Sequence, residues 1–219
     1  GAWGITALLF LFMLINFADK IVVGLIGMEG LGFSPEQFGL LGSAFFFLFA
    51  ISAIVVDFVA NRVQAKHALL VMAIVWSLVQ FPMLGTVSFE MLIACRIVLG
   101  AGEGPASPVA LHAIYKWFPD HLRGLPTAII AQGSALGVIV AVPTLNWIIV
   151  NHSWHWAFGA LGIAGLVWVA LWLVFGREGT LVDKPQGMAD GMVEHIPYRD
   201  RKSTRLNSSH GYISYAVFC

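Results

Sequence analysis

Six long apolar stretches, at about 4–27, 37–59, 68–87, 89–117, 125–150 and 155–176, follow one another almost without pause. Lys and Arg sit in every second gap between them and in none of the others. A bilayer core about 30 Å thick needs ~20 helical residues rising ~1.5 Å each, so every stretch is long enough to cross it. The gap at 60–67 holds Arg62, Lys66 and His67, that at 116–124 holds Lys116, His121 and Arg123, and Arg177 and Lys184 follow the last stretch. The gaps around 28–36, at 85–89 and around 151–154 contain neither Lys nor Arg. Basic loops stay on the cytoplasmic side during insertion, so the alternation predicts six crossings with both ends of the unit in the cytoplasm.

Composition excludes several classes. With 58% apolar and 11% charged residues and a mean hydropathy of +0.82, a soluble fold would expose too much apolar surface. Net charge is zero, so no basic surface argues for a nucleic-acid partner. Cys95 lies inside a predicted span and Cys219 is terminal, which makes no disulfide framework. No CxxC, HExxH, phosphate-loop or nucleophile-elbow pattern occurs, and no cofactor or metal is implied. Trp147, Trp154 and Trp156 crowd the predicted outer boundary and Trp117 the inner one, as interfacial aromatics do.

The chain opens almost directly into its first span without Met, and is expected to be truncated at the front. Residues 177–199 read as a polar cytoplasmic linker punctuated by Gly and Pro. From Asp200 the text DRKSTRLNSSHGYISYAVFC has no amphipathic period. It resembles translated adaptor or vector sequence, so 200–219 is expected to be a non-native tail.

Charges well inside the apolar runs, away from the span ends, are few: Asp19, Lys20, Arg96 and Glu103. A charge near a bilayer centre costs about 2.5–3.5 kcal/mol on insertion scales and normally faces a cavity or a partner. Asp19 falls slightly outward of the midpoint of the first span and Glu103 at the midpoint of the fourth. Arg96, seven residues before Glu103, is two helical turns and ~10 Å away on nearly the same face. Two acids and two cations are thus expected to converge on one polar cavity, as a functional site or as an ion-pair network tethering two spans. The fourth span is irregular around its acid. GAGEGPASP sets Gly100 and Gly104 as a small-xxx-small pair for close helix approach. Pro105 and Pro108 then loosen the helix beside Glu103.

NFADK in the first span and RIVLGAGEGPASPVALHAIYKWFPDHLRG across the fourth resemble the major facilitator superfamily, and within it the anion:cation symporter family of organic-anion permeases. The usual text there is N-Y-x-D-R, then R-x-x-x-G-x-x-E-x-P followed by W-F-P. The resemblance covers about 4–199. It implies an all-α membrane protein whose six-helix bundle is the amino-terminal half of the superfamily fold, completed by a second six-helix half. By position, it implies proton coupling at Asp19 and Glu103 and substrate carboxylate binding at Arg96. Lys20 stands where the family has Arg, keeping the charge without the planar fork. Gln132 and Ser134 fall near the family's substrate-contacting stretch, with helix-packing polarity as the alternative. The loop after the second span, usually G-x-x-x-D-R-x-G-R-K, here reads DFVANRVQAKH, so a gating latch would rest on Asp57, Arg62 and Lys66. A plain basic topogenic loop is the other reading.

The implied activity is secondary active transport: proton-coupled symport of an organic anion into the cell by a multi-pass protein of the bacterial inner membrane. The partners are the small anion, protons, the lipid bilayer and the missing carboxy-terminal half. This half alone is expected to be inactive. The alternatives are a non-transporting membrane scaffold or sensor of the same fold and, more remotely, a membrane-embedded enzyme.

Overall fold

The structure, a computed structural model, describes residues 1–60 and 63–181, apart from the side chains of 28–29 and 56–60. The described α-helices are α1 (Ala2–Leu31), α2 (Pro35–Ala60), α3 (Ala65–Gln80), α4 (Phe89–Glu103), α5 (Ala106–Tyr115), α6 (Gly124–Asn151) and α7 (Trp154–Phe175). Single 3-10 turns follow α3 at Phe81–Leu84 and precede α6 at Asp120–Leu122. Five helices are long and apolar enough to cross a membrane by themselves, α3 together with its 3-10 turn.

The fourth crossing departs from the expected single helix over 89–117. It is split into α4 and α5, of 15 and 10 residues, so at ~1.5 Å per residue the two span a bilayer only together. The break falls at Pro105, where ψ is 4°. Pro105 and Pro108 have no N–H to give to the preceding turn, and Ser52 of α2 brings its hydroxyl to 3.5 Å from the Gly100 carbonyl. Glu103 ends α4 at this break.

Local signals set the other boundaries. Gly27 leaves the helical region (φ 71°) and kinks α1, and Gly32 (φ 68°) closes it; both angles favour glycine. Ser34 then starts α2 reciprocally: the Gln37 N–H donates to the Ser34 hydroxyl at 3.2 Å, and the Ser34 N–H to the Gln37 side-chain carbonyl at 3.0 Å. The Ser88 hydroxyl caps α4 by accepting from the Met91 N–H.

Helix pairs in lipid associate through close packing, because the surrounding tails are as apolar as the helices. The tightest pairs here meet at glycines four residues apart. On α6, a Cβ at Gly133 would stand 2.6 Å from the Phe10 carbonyl oxygen of α1, and one at Gly137 would stand 2.5 Å from that of Leu14. On α4, the anticipated Gly100–Gly104 pair lies on the Phe45 and Phe49 carbonyls of α2 with equally little room. Helix α7 packs on α3 through Gly162 and Gly165. The Trp168 indole of α7 donates to the Leu8 carbonyl of α1 at 2.7 Å. Leu40, Phe46, Phe47, Ile51, Ile54 and Val55 of α2 are exposed, a surface suited to lipid or to a further helical layer and not to water.

The buried apolar residues form two cores stacked along the bundle. One contains Met13, Trp76, Leu99 and Trp168; the other contains Ala18, Met83, Leu92 and Leu161. Four of the buried polar residues fall between members of the two cores along their helices: Asn16 on α1, Ser77 and Gln80 on α3, and Arg96 on α4. A polar layer therefore separates two apolar ones. The basic gaps meet at one end of the bundle, where Glu178 touches both Lys66 and Lys116. The gaps lacking Lys and Arg meet at the other, where the Phe33 and Phe89 rings are 5.2 Å apart.

Candidate functional site

The four intramembrane charges gather at this polar layer, Arg96 within it and Asp19, Lys20 and Glu103 along its borders. Asp19 and Glu103 are fully buried and Arg96 is 5% exposed, while Lys20 is half-buried. Asp19 comes from α1, and its carboxyl lies beside the Gln80 amide of α3 and the Glu103 carboxyl of α4. Arg96 and Lys20 are both close enough to act electrostatically on each acid. Yet neither carboxyl has a well-formed hydrogen bond, and no ion pair within 4 Å joins these acids to these cations among the described residues. Arg96 instead reaches the Asp19 backbone carbonyl with Nη1, at a long 3.4 Å, and its Nε is unpartnered. The Lys20 ammonium donates to the Asn16 side-chain carbonyl at 2.6 Å, one turn back on the same helix.

Both cations also lie over aromatic rings. The Lys20 ammonium is 3.9 Å from the Phe17 ring centre and 4.8 Å from that of Phe49, and the Arg96 guanidinium is 4.4 Å from that of Phe45. The arrangement holds unspent capacity, with donors on two cations and four acceptor oxygens close together, and half-buried Lys20 at its accessible side. In a low-dielectric interior, electrostatic interactions between such groups and any charge brought beside them are much stronger than in water.

Of the other expected site residues, Gln132 is exposed on α6, beside Gly133 at the α1 contact. Ser134 donates to the Ala131 carbonyl of its own helix at 2.6 Å. The structure does not join either to the buried cluster. In the expected latch, the Asp57 side chain and Arg62 lie outside the described residues. Lys66 engages through its backbone: its N–H donates to Glu178 at 2.9 Å, and its carbonyl accepts from the Trp172 indole at 3.0 Å.

Sequence reasoning passed over Gln80, Phe45, Phe49 and Glu178. Gln80 carried a usable signal, a lone amide inside an otherwise apolar run. The two phenylalanines carried none, being two of 16.

Glu178, just beyond α7, clamps the basic end. It accepts from the Lys66 N–H at the start of α3 and from the Lys116 ammonium after α5, the latter at 2.5 Å, and the Leu181 N–H returns to the Lys116 carbonyl. Burial alone would raise the Glu178 carboxyl, but the Lys116 and Lys66 hydrogen bonds outweigh it and hold it below the usual carboxylate range. A carboxyl depressed in the fold contributes stability that is present above its unfolded value of about 4.3 and lost as pH falls through the folded one. Glu178→Gln should therefore cost roughly 1–2 kcal/mol at pH 7. The gap from wild type should close as pH falls below about 4. Thermal unfolding of the protein at both pH values checks this, and a pH-independent difference would assign the loss to packing instead.

Comparison with known proteins follows the same lines. Residues 8–210 match the profile of the Major Facilitator Superfamily. The chain is similar to the hexuronate transporter of Bacillus subtilis (strain 168), at 32% identity over 184 residues, covering 82% of the chain and 42% of that protein. It is similar to the probable sulfoacetate transporter SauU of Cupriavidus necator at 28% identity, covering 90% of the chain and 45% of the relative. Among solved structures it resembles a bacterial homolog of the human lysosomal transporter Spinster, inward-facing and unoccupied, with a TM-score of 0.72 at 20% identity, covering 86% of the chain and 46% of that structure. The Escherichia coli xylose transporter XylE, inward open, gives 0.70 at 16% identity, over 82% and 48%. The chain thus spans about half the length of the curated relatives it matches. With a profile match across the described bundle and a fold shared with solved members, the chain belongs to the major facilitator superfamily.

Proposed function

We propose that the full-length carrier containing this bundle is a secondary active transporter that moves a small organic carboxylate together with a proton into the cell. The observation that carries the reading is the unpaired state of the buried cluster. Arg96 and Lys20 lie beside Asp19 and Glu103 without forming ion pairs, so the cations are available to an anion from outside. A planar guanidinium suits bidentate carboxylate binding. Relatives named for hexuronate, for galactarate and D-glucarate, and for sulfoacetate all handle acids, which makes sugar acids the first class to test.

In this mechanism a proton neutralises one of the two acids, lowering its competition for Arg96. The anion then enters between this bundle and its carboxy-terminal counterpart, and the loaded carrier rocks to the other face. Proton and anion together alter the relative stability of the two access states, which neither needs to do alone. The basic end, with Lys66, Lys116 and Arg123, is read as cytoplasmic.

The test is reconstitution of the full-length carrier in proteoliposomes with an inside-alkaline pH gradient. Labelled hexuronates and aldarates should accumulate, and a protonophore should collapse the accumulation. A well-folded carrier that neither binds nor moves any organic acid would instead be a scaffold or sensor on the same fold. Uptake indifferent to the protonophore but dependent on sodium would replace the coupling ion.

A further inference from the structure

Two phenylalanines of α2 touch both halves of the candidate site. The Phe45 ring lies under the Arg96 guanidinium at 4.4 Å, and the Phe49 ring beside the Lys20 ammonium at 4.8 Å. They are one helical turn apart, with ring centres 5.9 Å from each other. Their backbone carbonyls are also where Gly100 and Gly104 press against α2. The helix carrying Arg96 and Glu103 is thus fixed to the same two residues whose rings face the cations.

A ring face attracts a cation through its quadrupole yet leaves the hydrogen-bond donors unused. A carboxylate would attract the cation more strongly but would use those donors. Asp19 and Glu103 are beside these cations and are not paired with them. Resting on the proposed anion transport, we propose that Phe45 and Phe49 are positioning residues of the anion site. Their rings hold Arg96 and Lys20 in the empty carrier without consuming the donors that the substrate carboxylate takes. Among the described residues, Asp19 and Glu103 act electrostatically on both cations, Asn16 accepts from the Lys20 ammonium, and the Phe17 ring of α1 shares Lys20 with Phe49.

The test uses the full-length carrier with Phe45→Leu, Phe49→Leu and the matching Tyr variants. Leu keeps the bulk and removes the ring face, whereas Tyr keeps the face. Each Leu variant should raise KM for the transported acid by about fivefold to tenfold, with the maximal rate within about twofold of wild type and the thermal midpoint little moved. Each Tyr variant should restore most of the loss. An unchanged KM in both Leu variants, or Tyr variants as impaired as Leu, would overturn the proposal.

A second readout does not depend on transport. In carrier labelled with 13C-lysine and 13C-arginine, the Lys20 ε-methylene and Arg96 δ-methylene protons should resonate upfield, shielded by the rings. Phe49→Leu should move the Lys20 signal partway back, since Phe17 remains, and Phe45→Leu should move that of Arg96. Ordinary positions in the wild-type carrier would sink the idea even if uptake proceeds. Shielded signals that respond to the Leu variants would uphold the positioning even if no organic acid is taken up and the transport reading fails.

Discussion

Arg96→Ala in the full-length carrier should abolish measurable uptake and weaken substrate binding by more than about 30-fold. Removing one partner of a buried, hydrogen-bonded charge pair costs upwards of 2 kcal/mol, part of it from leaving the other charge unmatched. Arg96 is the most enclosed cation of the polar layer, at 5% exposure, and half-buried Lys20 already gives one donor to Asn16. Little else among the described residues could replace it. Arg96→Lys should recover part of the binding, because the charge returns without the planar fork. Titration calorimetry with a transported acid, beside counterflow uptake, separates binding from movement. Tight binding retained by Arg96→Ala would move the anion site to Lys20 or to the other half of the carrier. It would leave Arg96 as a tether between α1 and α4, which its contact with the Asp19 carbonyl would then serve.

Glu103→Gln should separate exchange from accumulation. The amide imitates the protonated acid in shape and charge, so the variant should bind substrate and exchange labelled for unlabelled anion at a rate near wild type. It should not concentrate the anion. One pH unit is worth about 1.4 kcal/mol per proton, so a monoanion carried with one proton should reach about a tenfold ratio in wild type and about unity in the variant. The location supports so large an effect. Glu103 is fully buried, its oxygens lack hydrogen-bond partners, and it ends α4 at a proline break. A wild-type ratio in Glu103→Gln would make this acid structural and put proton coupling on Asp19 or on the half of the carrier beyond this chain.

Much of this was legible before any coordinates, for reasons that differ by residue. The crossings could be read because a bilayer imposes a minimum apolar length, which no soluble helix needs to satisfy in six successive stretches. Asp19, Lys20, Arg96 and Glu103 stood out because burying a charge in lipid is expensive, and the structure brings the four near one another. The Gly100–Gly104 contact could be read because helices in lipid approach most closely where side chains are absent. The split of the fourth crossing was half legible. Pro105 and Pro108 signalled a loosened helix, but not that α4 would end at Glu103 itself.

What composition and spacing determined here is a membrane bundle, its alternation of basic ends and the few charges it encloses. Those follow from the solvent, which acts on each segment separately. Only the tertiary structure decided which groups meet. Nothing in the chain singles out Phe45 and Phe49, because a ring becomes a cation's partner only when another helix brings the cation to its face. Gln132 was singled out by resemblance and Gln80 was passed over, although each is an amide in an apolar run. One is exposed on α6 and the other is buried against Asp19, a difference set by how each helix is rotated against its neighbours. Glu178 reaches Lys66 across 112 residues of sequence, and no local rule spans that distance. The unpaired state of the central charges is likewise a property of packing: the fold holds opposite charges near one another and keeps them from closing the gap.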